Sequence, residues 1–159
     1  MKLSRPFGSV AVIATASALA FTAPSALARS TKYIGKTREG DPISFRLSGS
    51  KISQVKAYVP TLCLATEGLP LNGTDPFDPP GSFRLGSSGK AAAKRPNAIW
   101  NSSDVTKNFE ITTKRGRHGV ISGKLHSDFS FLMILYTYPI SARPYVCTGD
   151  TTFRIAPQT

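Results

Sequence analysis

NFEITTKRGRHGVISGKLH, residues 108–126, is the stretch whose reading decides the fold. Phe109, Ile111 and Thr113 alternate with Glu110, Thr112 and Lys114, a period of two that sends one face of an extended strand inward and the other to water. A basic turn around Gly116 interrupts the pattern, and Ile121, Gly123 and Leu125 resume it. Two alternating runs joined through glycine predict a β-hairpin.

The same period recurs on both sides. In PISFRLSG, Ile43, Phe45 and Leu47 face one way while Ser44, Arg46 and Ser48 face the other. Gly49-Ser50 turns this strand into KISQVKAYV, where Val55, Ala57 and Val59 stay in phase. Ile52 is out of phase with them, which predicts a bulge or a late strand start. Downstream, FSFLMILYTY is apolar on both faces and reads as a central strand covered from both sides. TTFRIA places Phe153 and Ile155 together on one face. No stretch shows sustained helical periodicity with caps, and GKAAAKR has helical propensity but no apolar face to bury. Short strands and Gly-rich turns together predict an all-β fold, an antiparallel β-sandwich or a partly open barrel.

The segment 64–97 differs. It is dense in Pro and Gly, and Asp75-Pro76 and Asp78-Pro79-Pro80 oppose a continuous strand or helix, so a long loop is expected. Such loops are either mobile or functional. The first reading is a flexible insertion; the second is a partner-contacting flap with Phe77 and Phe83 as anchors.

Residues 1–28 carry the marks of a cleaved export signal. Lys2 and Arg5 form a basic start, Val10 to Phe21 is apolar, and Ala26-Leu27-Ala28 offers small side chains to a peptidase, with the cut after Ala28. The apolar run is shorter than the ~20 residues that cross a bilayer. No later segment is a good membrane span, so the expected product is a single secreted domain, residues 29–159. The only cysteines, Cys63 and Cys147, then most simply pair with each other in an oxidising compartment. A zinc site is poorly supported, because only His118 and His126 stand beside the two thiols and none of the four has ligand spacing. A nucleophilic cysteine would need a free thiol and a base.

Removing 28 of 159 residues leaves 131, enough for one domain with a core. Of the 20 Lys and Arg only Lys2 and Arg5 leave with the leader, so 18 basic groups face nine acidic ones, a net charge of +9. Most cations are dispersed, as in Lys32, Lys36, Arg38, Arg46, Lys51 and Lys56; KNFEITTKRGRH concentrates Lys107, Lys114, Arg115 and Arg117. These four are the candidate contacts for an anionic partner. A basic surface attracts nucleic acid, anionic envelope polymers and phospholipid head groups alike.

Candidate chemistry is sparse. His126, Asp128 and Ser130 share one strand face, but a catalytic triad needs the imidazole between acid and hydroxyl, and here the carboxylate is central. The nine acids are scattered and offer no carboxylate pair, and the glycines of GKTREG do not follow a strand into a helix. Asn72-Gly73-Thr74 and Asn101-Ser102-Ser103 fit the glycosylation sequon. Trp100, Tyr136, Tyr138 and Tyr145 read as core or core-edge aromatics before a carbohydrate platform. No catalytic residue, cofactor or metal is expected.

YIGKTREGDPISF (residues 33–45), taken with GVISGKLH and CTGDTTFRI, resembles a pattern of small exported actinobacterial proteins. The resemblance implies a secreted β-sandwich with one disulfide and no established activity, and carries over no site residue. The leading expectation is a secreted, non-enzymatic binding or surface module with a basic face. The alternative is an inhibitor or protein-interaction domain presenting segment 64–97. A hydrolase using His126 or His118 ranks last.

Overall fold

A computed structural model of the chain describes residues 30–96, 104–135 and 141–158. The expected export signal and its cut after Ala28 lie outside these residues, as do Trp100, the Asn101 sequon, Tyr136 and Tyr138. Counting the described residues alone, nine strands follow one another: β1 (Thr31–Lys36), β2 (Pro42–Ser48), β3 (Lys51–Ala65), β4 (Leu71–Phe77), β5 (Ser82–Arg84), β6 (Ser88–Pro96), β7 (Asp104–Arg115), β8 (Ile121–Leu135) and β9 (Ser141–Ile155). Among the described residues the only helical piece is a 3₁₀ turn, Arg117–Gly119. The all-β, antiparallel, single-disulfide reading is therefore correct.

The strands form one antiparallel sheet in the order β1-β2-β3-β9-β8-β7-β6, with β4 and β5 along the other edge of β3. The sheet rolls without closing. Bridges Tyr33↔Pro157 and Thr37↔Phe153 bring β1 back against the end of β9, and Tyr33 donates its hydroxyl to the Gly119 carbonyl at 3.3 Å. Inside this rolled end sits the main core. Phe45 stacks on Tyr33 at 5.1 Å and meets Phe153 edge-on at 6.1 Å, while Phe77 and Phe109 form a T-shaped pair at 5.1 Å. Burying each such ring contributes roughly 1.5–3 kcal/mol. A second, smaller cluster holds Cys63, Cys147, Phe131 and Tyr145 at the opposite end.

The deciding hairpin forms as read: β7 and β8 pair from Arg115↔Ile121 to Lys107↔Phe129, with Phe109, Ile111, Ile121 and Leu125 buried. The out-of-phase Ile52 is explained by Gln54, whose φ of 52° places it in the left-handed region, and the β2–β3 register shifts there. One extra residue lets Ile52 and Val55 both face the core.

Three expectations need correction. Segment 64–97 is not a long loop, because it supplies β4, β5 and β6. Pro76 is tolerated since β4 pairs only with β3 among the described strands, and an edge strand can turn a missing N–H away from its ladder. The alanine run becomes β6 by pairing with β7 from Ser88↔Thr112 to Pro96↔Asp104, a tertiary choice that overrides local helical propensity. Phe77 and Phe83, expected to anchor a partner, are 0% and 7% exposed and belong to the main core. Finally, β8 is not covered on both faces. Phe131 turns inward, but Leu132 and Ile134 are exposed beside Val146 and Leu64 of the neighbouring strands.

The disulfide reinforces one short ladder. Cys63 and Cys147 stand directly opposite each other on adjacent strands in the middle of the sheet order. The β3–β9 ladder spans only Thr61–Ala65 against Tyr145–Gly149, and it joins the β1–β3 half to the β6–β9 half. Gly149 lies in this seam because a Cβ there would come within 2.5 Å of the Pro60 carbonyl oxygen.

Candidate functional site

The four cations singled out in residues 107–117 separate in the fold. Lys107 is 4% exposed and points into the molecule, where its ammonium pairs with Asp75 of β4 and lies 4.9 Å from the centre of the Phe129 ring. It faces no outside partner, and the run's apparent continuity ends there. The cause is alternation: Lys107 is in phase with the buried Phe109 and Ile111. Burial pushes the Asp75 carboxyl above its ordinary value, and the Lys107 ammonium opposes that shift. Arg95 reaches the Asp78 carboxylate at 2.6 Å, so two ion pairs tie β6 and β7 to the β4 side.

Lys114, Arg115 and Arg117 stay exposed at the far end of the β7–β8 hairpin, and the register gives them company. Lys114 is opposite Ser122, which is opposite Arg154 of β9. The two β1–β9 bridges continue this row and set Lys36 against Arg154. Further along, Lys32 of β1 is directly opposite Arg46 of β2, and Ser44 beside it is opposite Lys56 of β3. A cationic outer face thus runs from the hairpin turn over β9 onto β1, β2 and β3.

Like charges directly opposed across strands destabilise a sheet. Yet none of Lys32, Lys36, Arg46, Lys56, Lys114 or Arg154 has a carboxylate partner among the described residues. Six of the nine carboxylates are engaged elsewhere. Asp75 and Asp78 face the interior cations, Glu110 pairs with Lys90, which raises the Lys90 pKa, and Asp128 and Asp150 flank His126. Glu39 accepts a hydrogen bond from the Thr151 hydroxyl, which with Arg38 beside it lowers its pKa. The lysine and arginine ion pairs that join strands lie among β4, β6 and β7, whereas the cations of β1, β2 and the end of β9 have none among the described residues.

The His126 cluster does not assemble a triad. Its Nδ1 is 3.1 Å from Asp150 and its Nε2 is 3.8 Å from Asp128, so both ring nitrogens face carboxylates and neither bonds to Ser130. Tyr145, read as core, is 4% exposed and stacks on Phe131 at 5.3 Å. Asn72 of the first sequon is exposed on β4. Among the described residues no group of His, Cys, Asp and Glu is arranged to hold a metal ion, and no helix is long and apolar enough to cross a membrane.

Lys32, Lys36, Arg46 and Lys56 looked dispersed in the sequence. Alternation alone places them outward, since Tyr33, Phe45 and Ala57 beside them are buried. What the sequence lacks is the register, and above all the return of β1 to β9. Comparison with family models, with curated proteins and with solved structures finds no match.

Proposed function

We propose that the domain is an exported, non-enzymatic binding module whose basic outer face engages an extended polyanion. The observation that carries this reading is the set of unopposed cations meeting in register, Lys114–Arg154–Lys36 and Lys32–Arg46. Such neighbours repel one another in the free protein, and a polymer with repeating negative charge relieves the repulsion while releasing its own counterions. The leader-like residues 1–28 and the Cys63–Cys147 bond support export. The inhibitor alternative loses its main support, because segment 64–97 is paired into strands and its two phenylalanines are buried.

The test compares two double variants of equal net charge. Arg46→Ser with Arg154→Ser removes two cations of the face; Lys90→Ser with Lys94→Ser removes two outside it. Binding is measured by salt elution from heparin and by titration with polyphosphate. The first pair is expected to elute at clearly lower salt and to lower the slope of log affinity against log salt by roughly one per cation. The second should resemble the unaltered protein. Equal losses in both would mean that only total charge is being read, and the proposed face would be abandoned.

A further inference from the structure

Where the sheet opens, between β4 on one side and β7 and β8 on the other, lies a cavity of about 470 Å³. That is within the range of small-molecule sites. Its apolar wall is Phe129, Phe131, Val105 and Leu71, and the sulfur-bridged Cys63 lines it as well. Four charged side chains share it with Thr61, Asn72 and Thr74, and of these Lys107 is the most buried. Lys107 brings an ammonium whose side chain is 5% exposed, and Arg95 brings a guanidinium.

Both cations have donors to spare. An ammonium carries three N–H bonds. Lys107 directs one to Asp75 and one, at 3.4 Å, to the Pro76 carbonyl, which leaves a third. Arg95 uses Nη2 on the Asp78 backbone and side-chain oxygens, while its Nε is buried with no partner. A buried donor left unpaired is unfavourable by roughly 1–3 kcal/mol, more for charged groups, so these are the places where an incoming acceptor gains most. The walls demand an apolar body, and the spare donors demand an acceptor.

The charges narrow the class. Two cations and two carboxylates, Asp75 and Asp78, share the lining and cancel. A polyanion or a phosphate dianion would be repelled by the carboxylates and would leave the rings unused. A single carboxylate on a hydrocarbon or aromatic body matches both features, since it accepts charge-assisted bonds from ammonium and guanidinium donors. We infer that this cavity is a binding site for an apolar monocarboxylate, with Phe129, Phe131 and Val105 holding the body and Lys107 and Arg95 the head. The site is separate from the basic outer face, and none of the face's cations lines it.

The experiment titrates the whole protein with cis-parinaric acid, a fluorescent fatty acid, and with its methyl ester. A saturable rise in emission at one probe per chain is expected, with the acid bound at least tenfold more tightly than the ester. Val105→Trp fills the cavity from β7 and Leu71→Trp from β4; whichever remains folded by circular dichroism should bind no probe. Lys107→Met combined with Asp75→Leu removes the ion pair as a unit, and should weaken the acid about tenfold while sparing the ester. Arg46→Ser with Arg154→Ser should bind the acid unchanged. Equal affinity for acid and ester, binding that survives the filled cavity, binding that falls with the outer-face variant, or no saturable binding at all would each overturn the inference.

Discussion

Replacing Lys107 with methionine strips Asp75 of its counter-charge without altering the volume of the side chain much. The Lys107 and Asp75 side chains are 5% and 15% exposed, so the pair is not one of the surface bridges whose removal passes unnoticed. Breaking one partner of a buried pair typically destabilises by 3–5 kcal/mol, because a charge is left in a poor dielectric; the partial exposure of Asp75 argues for the lower end, about 3 kcal/mol at pH 7. With a urea slope of roughly 1.5 kcal/mol per molar, the midpoint would fall by about 2 M. The loss has a pH signature. Burial already raises the Asp75 pKa in the folded state, and losing Lys107 removes the influence that restrains it. A carboxyl whose folded pKa lies above its unfolded value gives stability that is complete below the unfolded pKa and disappears as pH rises through the folded one. The Lys107→Met deficit should therefore shrink markedly between pH 7 and pH 4, and adding Asp75→Leu should recover most of it at pH 7. Urea unfolding followed by circular dichroism at both pH values measures this. A deficit under 1 kcal/mol at pH 7, or one that is equal at pH 4 and pH 7, would refute the account of a desolvated carboxylate.

Other outcomes follow from the same structure. Replacing Cys63 and Cys147 together by alanine removes a cross-link spanning 84 positions, and chain entropy gives a loss of roughly 4–5 kcal/mol, read from denaturant unfolding. Without reduction, tryptic peptides containing the two cysteines should appear as one species by mass. Phe77→Ala empties a position that is 0% exposed and should lower stability by about 3–5 kcal/mol, where a flap residue would be neutral. Gly149→Val drives side-chain atoms into the Pro60 carbonyl and should lower the melting temperature more than any surface exchange. Lys32→Glu converts a like-charged cross-strand pair with Arg46 into an attractive one; the melting temperature should rise slightly while heparin retention falls.

Alternation carried much of the fold. Ile43, Phe45 and Leu47 in β2, and Phe109 and Ile111 in β7, were legible because every second side chain is apolar and every one of them is buried. Segment 64–97 was not, for two reasons. Proline speaks against strands on average, yet Pro76 occupies one with no second partner among the described strands. Alanine carries no contrast between faces, so the inward Ala91 and Ala93 and the outward Ala92 look alike in β6. The candidate site was legible by residue type and not by place. Lys114, Arg115 and Arg117 were picked out by clustering along the chain, whereas Lys32, Lys36, Arg46 and Arg154 meet only through cross-strand register and the return of β1 to β9. Lys107 shows the converse: grouped with basic residues along the chain, it lies in phase with Phe109 and Ile111 and is buried with them.

In β3 the parity changes partway along the strand. Gln54 is a single inserted position within β3, and everything after it faces the opposite way from what an uninterrupted count starting at Ile52 would give. Holding position 54 in ordinary extended geometry without shortening the chain, as Gln54→Val favours, would swing Val55, Val59 and Cys63 outward together, where Cys147 could not meet the sulfur. Whether two thiols become one bond thus depends on a backbone angle nine positions upstream of Cys63, and a count of free sulfhydryls in the Gln54→Val chain would register the flip.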